Sequence, residues 1–184
     1  MNANLQPSGS VYFNPPETGA PERHTLSVLV DNEPGILARI AGLFSARGFN
    51  IDSLTVSETE HEKGLSRLTI VTVANPKVVT QIKMQLGRLV PVHKVHDLTE
   101  EGEAVERELA LVKVAGTGEH RVETLRIADA FRAKVIDACT DSFVFEITGK
   151  SSKVEQFIAL MVPLGLVEVV RTGLAAISRG KEKM

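Results

Sequence analysis

The chain has 184 residues, enough for one ordinary domain or two small ones, and its 43% hydrophobic and 24% charged residues are the balance of a packed globular protein rather than a disordered one. Aromatics are only 4%, which leaves little for base stacking, and the net charge of −2 divides evenly: eight basic and seven acidic side chains over 24–98, twelve and eleven over 104–184. Neither half has the basic excess of a nucleic-acid or membrane-surface protein, and the single Cys139 excludes a disulfide framework or a cysteine-rich zinc site and fits a reducing, cytoplasmic compartment.

Residues 1–23 (MNANLQPSGSVYFNPPETGAPER) hold four prolines and neither the apolar core of a signal peptide nor the Arg-rich pattern of a transit peptide, so a disordered tail is expected. No apolar run approaches the ~20 residues that cross a bilayer. Thr25 to Val30 reads as a strand, DNEPG as a turn, and Pro34 as the opening of a helix. Ile36, Leu37, Ile40, Leu43 and Phe44 form one apolar stripe on that helix, with Gly48 as its stop. Asn50 to Ser57 and the run around Leu68, Ile70 and Thr72 alternate as a hairpin about an acidic turn. Pro76 opens a second helix with Val78, Val79, Ile82 and Leu86, Gly87 ends it, and Leu89 to Val95 returns as a strand that Pro91 keeps at an edge.

That order is β-α-β-β-α-β, a ferredoxin-like unit over 24–98. Residues 99–107, rich in Glu and Gly without an apolar period, read as a linker. The order then repeats over 108–180: strand Leu109 to Ala115, helix Glu119 to Ala133, strands Val135 to Ala138 and Phe143 to Thr148, helix Ser152 to Val162, strand Leu166 to Val170. Ser152 and Glu155 stand at capping-box spacing, and 181–184 form a short tail. The fold class expected is α+β, two βαββαβ domains of a size that is marginal alone, so association is expected too.

Most local motifs reduce to structure. The GTG at 116–118 lacks the third glycine of a dinucleotide fingerprint, Arg121 standing in its place, and Gly149–Lys150–Ser151 lacks the upstream glycine of a P-loop, Val144 standing there. His93 and His96 point to opposite faces of a strand, and His24, His61 and His120 have no acidic or cysteine partner at ligand spacing, so no metal site is expected. Cys139 reads as a small buried hydrophobe. No nucleophile–base set stands out, so no catalytic residue is assigned, and LSRLTIVTV offers none of the aromatics that RNA recognition on this topology needs.

DNEPGILARIAGLFSARGFNIDSL is different. A glycine at a helix start leaves backbone N–H groups open to a carboxylate, and Asn32 and Asn50 supply both donors and acceptors, a combination suited to a zwitterion. The same features also suit an ordinary βα turn.

The wording LSVLVDNEPGILARIAGLFSARGFNIDSLTV resembles the effector loop of ACT domains, and in particular the small regulatory subunit of acetohydroxyacid synthase. LSRLTIVT, QLGRLVPVHKV, VERELALVKV, FRAKVIDA and VEVVRTGLAAISRG continue the resemblance from about His24 to Gly180. It implies an N-terminal ACT domain and no active site in this chain. It also implies a homodimer through the ACT domains, with a branched-chain amino acid, valine foremost, bound at the interface by Asn32, Gly35, Ile36, Asn50 and Ile51. The partner implied is a catalytic large subunit that alone carries thiamine diphosphate, Mg and FAD, with the ACT face or Arg171 to Gly180 as its contact. The sequence departs from the family in a longer N-terminal tail and in Pro34, where some members carry Ser or Gln. A free-standing ACT sensor acting on another partner is the alternative, and a small ferredoxin-like enzyme the third reading.

Overall fold

In a computed structural model, which describes residues 19–100, 102 and 104–181, the chain forms two sheets, each with a pair of helices on one face. Residues 1–18 of the expected tail and 182–184 lie outside the described residues. The first sheet is built on β1 (Glu22–Asp31), β2 (Ser53–Glu60), β3 (Leu65–Ala74) and β4 (Val92–Asp97) in the order β2-β3-β1-β4. β1 lies centrally because its run of Val and Leu can be covered on both faces, and it pairs antiparallel with β3 from Glu22↔Ala74 to Asp31↔Leu65. Glu22 and Arg23, read as tail, are therefore strand, since β3 extends far enough to pair with them. β4 begins at Val92 rather than Leu89; Leu89 accepts a bond from Val92 N at 2.9 Å as a turn closes there.

Helix α1 (Ile36–Ser45) buries Ile36, Ile40, Leu43 and Phe44, while Leu37, expected in the stripe, is 41% exposed. Its end is a Schellman motif: Phe49 N donates to Phe44 O at 3.0 Å and Gly48 N to Ser45 O at 3.1 Å, Gly48 takes φ 69, and the Phe44 and Phe49 rings meet edge to face at 6.3 Å, as the motif's apolar clasp requires. Helix α2 (Pro76–Leu86) is capped by Asn75, whose side chain accepts from Val78 N at 3.0 Å; Pro76 follows at the first position, where its missing N–H costs nothing.

The second unit comprises β5 (Ala104–Ala115), α3 (Gly118–Ala130), β6 (Lys134–Ala138), β7 (Ser142–Gly149), α4 (Ser151–Met161), β8 (Leu166–Arg171) and β9 (Ala175–Ser178). Its main order is β6-β7-β5-β8, and the first four residues of β5 pair with β9 from Ala104↔Ser178 to Arg107↔Ala175. Residues 104–107 are thus strand rather than linker, because β9 supplies them a partner. The expected capping box is not formed: Lys150 is the N-cap of α4 and makes no side-chain cap bond, so Ser152 falls inside the helix. The core interleaves Ala110, Val112 and Val114 of β5 with Phe143, Phe145 and Ile147 of β7 under Phe157 and Met161 of α4. A third, small cluster of Val71, Leu98, Leu174 and Ala176 joins the two sheets.

Candidate functional site

The connection from β1 to α1 is a type II turn. Pro34 supplies its fixed φ at the second position, Gly35 takes φ 89 and ψ −7 at the third, and Ile36 N donates to Glu33 O at 3.4 Å; only glycine adopts that third position without strain. The helix consequently starts at Ile36 and not at Pro34. No side chain caps it, and the amides of Leu37 and Ala38 have no carbonyl four residues back within the helix. Asn32 is exposed, its amide held to Gly64 O at 2.7 Å, and Asp31 and His93 pair beside it at 2.6 Å. The open amides of the first turn and the exposed Asn32 form an exposed polar end of α1 of the kind that suits a carboxylate.

Asn50 and Ile51 stand elsewhere. Thr72 Oγ1 donates to Asn50 O at 2.7 Å, the Asn50 side chain donates to Asp52 Oδ1 at 2.5 Å, and Ile51 packs partly against the core. β3 measures the gap, since Gly64 beside Asn32 and Thr72 beside Asn50 are eight residues apart, about 26 Å along an extended strand. Asn32, Gly35 and Ile36 are brought together at one end of α1, Asn50 and Ile51 at the other. One small ligand cannot touch both groups within a single chain.

Two expectations are corrected. His24 does have acidic neighbours: its Nδ1 lies 2.8 Å from Asp97 Oδ2, both side chains are buried, and Asp97 Oδ1 accepts from Thr99 N at 3.0 Å. With Glu100 they offer three ligand atoms within 4.8 Å of one another. Spacing rules could not see this because 73 residues separate His24 from Asp97; Lys83 already pairs with Glu100 at 2.5 Å, and the His24–Asp97 bond pins β1 to β4. Cys139 is exposed, in the turn after β6, whose residues are all exposed at the edge of the sheet.

A cleft of about 520 Å³ separates the two sheets, lined among others by Arg23, Asp52, Glu108, Ser151, Arg171 and Gly173. Glu108 is 5% exposed and accepts from Arg171 Nε at 2.6 Å and Nη2 at 2.8 Å, the bidentate geometry that favours both charges. The Arg171 bond holds the Glu108 carboxyl below its ordinary 4.5, burial opposing it and the Ser151 hydroxyl assisting, while the Glu108 bond raises Arg171. Within the segment from Arg171 to Gly180, one of the two candidate partner contacts, Arg171 and the buried Leu174 are engaged inside the chain, while Ala175, Ile177 and Arg179 are exposed. Glu108→Gln should cost about 1–2 kcal/mol, toward the lower end for a charged bond because Arg171 is partly solvated. A depressed carboxyl stabilises the fold above its ordinary range, and that contribution is lost as pH falls through the lowered value. Chemical denaturation should therefore show a variant deficit that is constant near neutrality and shrinks only below pH 4.5; the raised Arg171 loses its share only above the guanidinium range.

Two successive βαββαβ units, the first with an uncapped glycine turn between β1 and α1, define an α+β protein of two ferredoxin-like units. The AHAS small subunit-like ACT domain model matches residues 26–94, and the model for the small subunit of acetolactate synthase matches residues 107–180. The probable acetolactate synthase small subunit of Archaeoglobus fulgidus is 48% identical over 161 residues, covering 88% of this chain and 99% of the relative. The acetolactate synthase small subunit of Haemophilus influenzae is 45% identical over 163 residues, covering 88% and 99%. The crystal structure of the small subunit from Thermotoga maritima superposes with TM-score 0.78 at 42% identity, covering 88% and 99%. The chain belongs to the small-subunit family of acetolactate synthase, the enzyme also called acetohydroxyacid synthase. It is a regulatory, non-catalytic chain whose counterpart is a catalytic large subunit. Among the described residues no helix is long and apolar enough to cross a membrane.

Proposed function

We propose that this chain is a cytoplasmic feedback sensor of branched-chain amino-acid biosynthesis. It binds valine, or a related branched-chain amino acid, between the ACT domains of a homodimer, and it restrains the large subunit that it otherwise activates. Thiamine diphosphate, Mg and FAD belong to that large subunit in this reading. The observation that supports it best is the separation of Asn32, Gly35 and Ile36 from Asn50 and Ile51 by the length of α1. A twofold axis that pairs α1 with its partner antiparallel sets the first group of one chain against the second group of the other, and an isologous interface does so twice. The exposed Leu37 then has an apolar neighbour. At each site the ligand carboxylate meets the open amides of α1, where the helix dipole favours negative charge, and the asparagines take its remaining polar atoms.

Valine alone should raise the thermal midpoint of the isolated chain, because ligand at 100 times its dissociation constant adds about 2.7 kcal/mol and a chain of this length gains about 2–4 °C per kcal/mol. Scanning fluorimetry with valine, leucine and isoleucine, with sedimentation on the same samples, tests both halves. No shift at millimolar concentration, or a monomer at micromolar concentration, defeats the reading.

A further inference from the structure

We propose that the seam where β2 meets residues 172–174 carries the amino-acid signal from the ACT domain into the C-terminal unit. The inference rests on the reading above and deepens it, assigning Ser53, Thr55 and Gly173 as positioning residues for feedback. β2 starts at Ser53, two residues after Ile51, and its residues Ser53 and Thr55, two apart, share one face. Against that face Ser53 Oγ accepts from Leu174 N at 3.1 Å and Thr55 Oγ1 donates to Thr172 O at 3.5 Å. Between them Gly173 takes φ 81, and a Cβ there would lie 2.7 Å from Ser53 Oγ and 2.8 Å from Thr55 Oγ1, so the backbone approaches as closely as it can only because the side chain is absent.

The seam is clamped on both sides. Leu174 is 1% exposed, packed with Val71 and Leu98 of the ACT unit. On the other side Thr172 N donates to Leu109 O at 3.0 Å and Thr172 Oγ1 accepts from Leu109 N at 3.2 Å, and Arg171 is locked to Glu108. Packed elements of this kind have discrete arrangements instead of continuous give, so a shift at the start of β2 moves residues 172–174 with it. Asp52 adds a polar link: its carboxylate accepts from the Asn50 side chain and also lines the cleft that holds Arg23 and Arg171. A ligand that takes the Asn50 amide releases that carboxylate toward the cleft.

The test uses the full chain reconstituted with its large subunit, in wild type, Gly173→Ala and the milder Ser53→Ala. Valine binding is measured by calorimetry on the small subunit alone, and acetolactate formation with and without valine on the complex. Coupling between sites is typically about 5- to 150-fold in affinity and is reciprocal. The expected result is that both variants bind valine within about threefold of wild type and still activate, while inhibition weakens by a factor in that coupling range. Variants inhibited at the wild-type valine concentration overturn the proposal alone. Variants that lose binding itself also overturn it, because Ser53 and Gly173 then shape the site rather than transmit from it. If the wild type binds none of the three branched-chain amino acids, the sensing reading falls first and this inference with it.

Discussion

Gly35→Asp should yield a chain that still folds and activates the large subunit but gains no thermal stability from valine and passes on no inhibition. The new carboxylate stands at the head of α1, where the ligand carboxylate is proposed to meet the amides of the first turn, and like charges at that separation exclude one another. Space for the side chain is not the obstacle, since nothing lies within 4 Å of a Cβ built at Gly35. The backbone is, because φ 89 costs an L residue on the order of 1–2 kcal/mol, with Asp and Asn the most tolerant. Some loss of stability is thus expected from strain alone. Gly35→Asn separates the two effects: it carries the same strain without the charge. If calorimetry finds Asn binding valine more than about tenfold better than Asp, a gap of about 1.4 kcal/mol, charge exclusion is the cause; equal loss in both assigns the effect to the turn. Wild-type inhibition in the Asp variant places the ligand somewhere other than Gly35.

Phe157→Ala should strongly destabilise the C-terminal unit. Phe157 is 0% exposed, its ring 5.6 Å from that of Phe131 and 6.1 Å, edge to face, from that of Phe145, so truncation removes buried area and leaves a void between α4 and β7. Such changes cost about 3–5 kcal/mol, a large part of a total stability of about 5–15 kcal/mol, and should lower the thermal midpoint by roughly 10 °C. Val162→Ala, at a position 59% exposed, is the control and should stay within about 0.5 kcal/mol. A loss below about 1 kcal/mol at Phe157 would falsify the packing described for this core.

The sequence by itself determined whatever depends on near neighbours. The apolar stripe through Ile36, Ile40, Leu43 and Phe44, the stop at Gly48 and the proline opening at Pro76 are local effects of helix period and backbone stereochemistry, and each stands where the periodicity places it. The resemblance carried by the DNEPG segment and its surroundings identified the family in the same way, through contiguous residues. Local signals also misled: Leu37 belongs to the apolar period of α1 yet is exposed, Pro34 pointed to a helix start two residues early because a type II turn also wants Pro followed by Gly, and Ser152 with Glu155 had capping-box spacing in a helix that begins at Ser151. What only the tertiary structure decided joins residues far apart in the chain. β9 has four residues, too few to show a period, and exists because 104–107 offers it an edge. His24 finds Asp97, and Glu108 finds Arg171, only once β1 and β4, or β5 and β8, lie side by side. The separation of Asn32 from Asn50 follows from which end of β3 each borders, and the tight contact at Gly173 from how two sheets meet. Strand register and sheet packing are set by the closure of the whole chain, and no window of sequence contains both partners of such a contact.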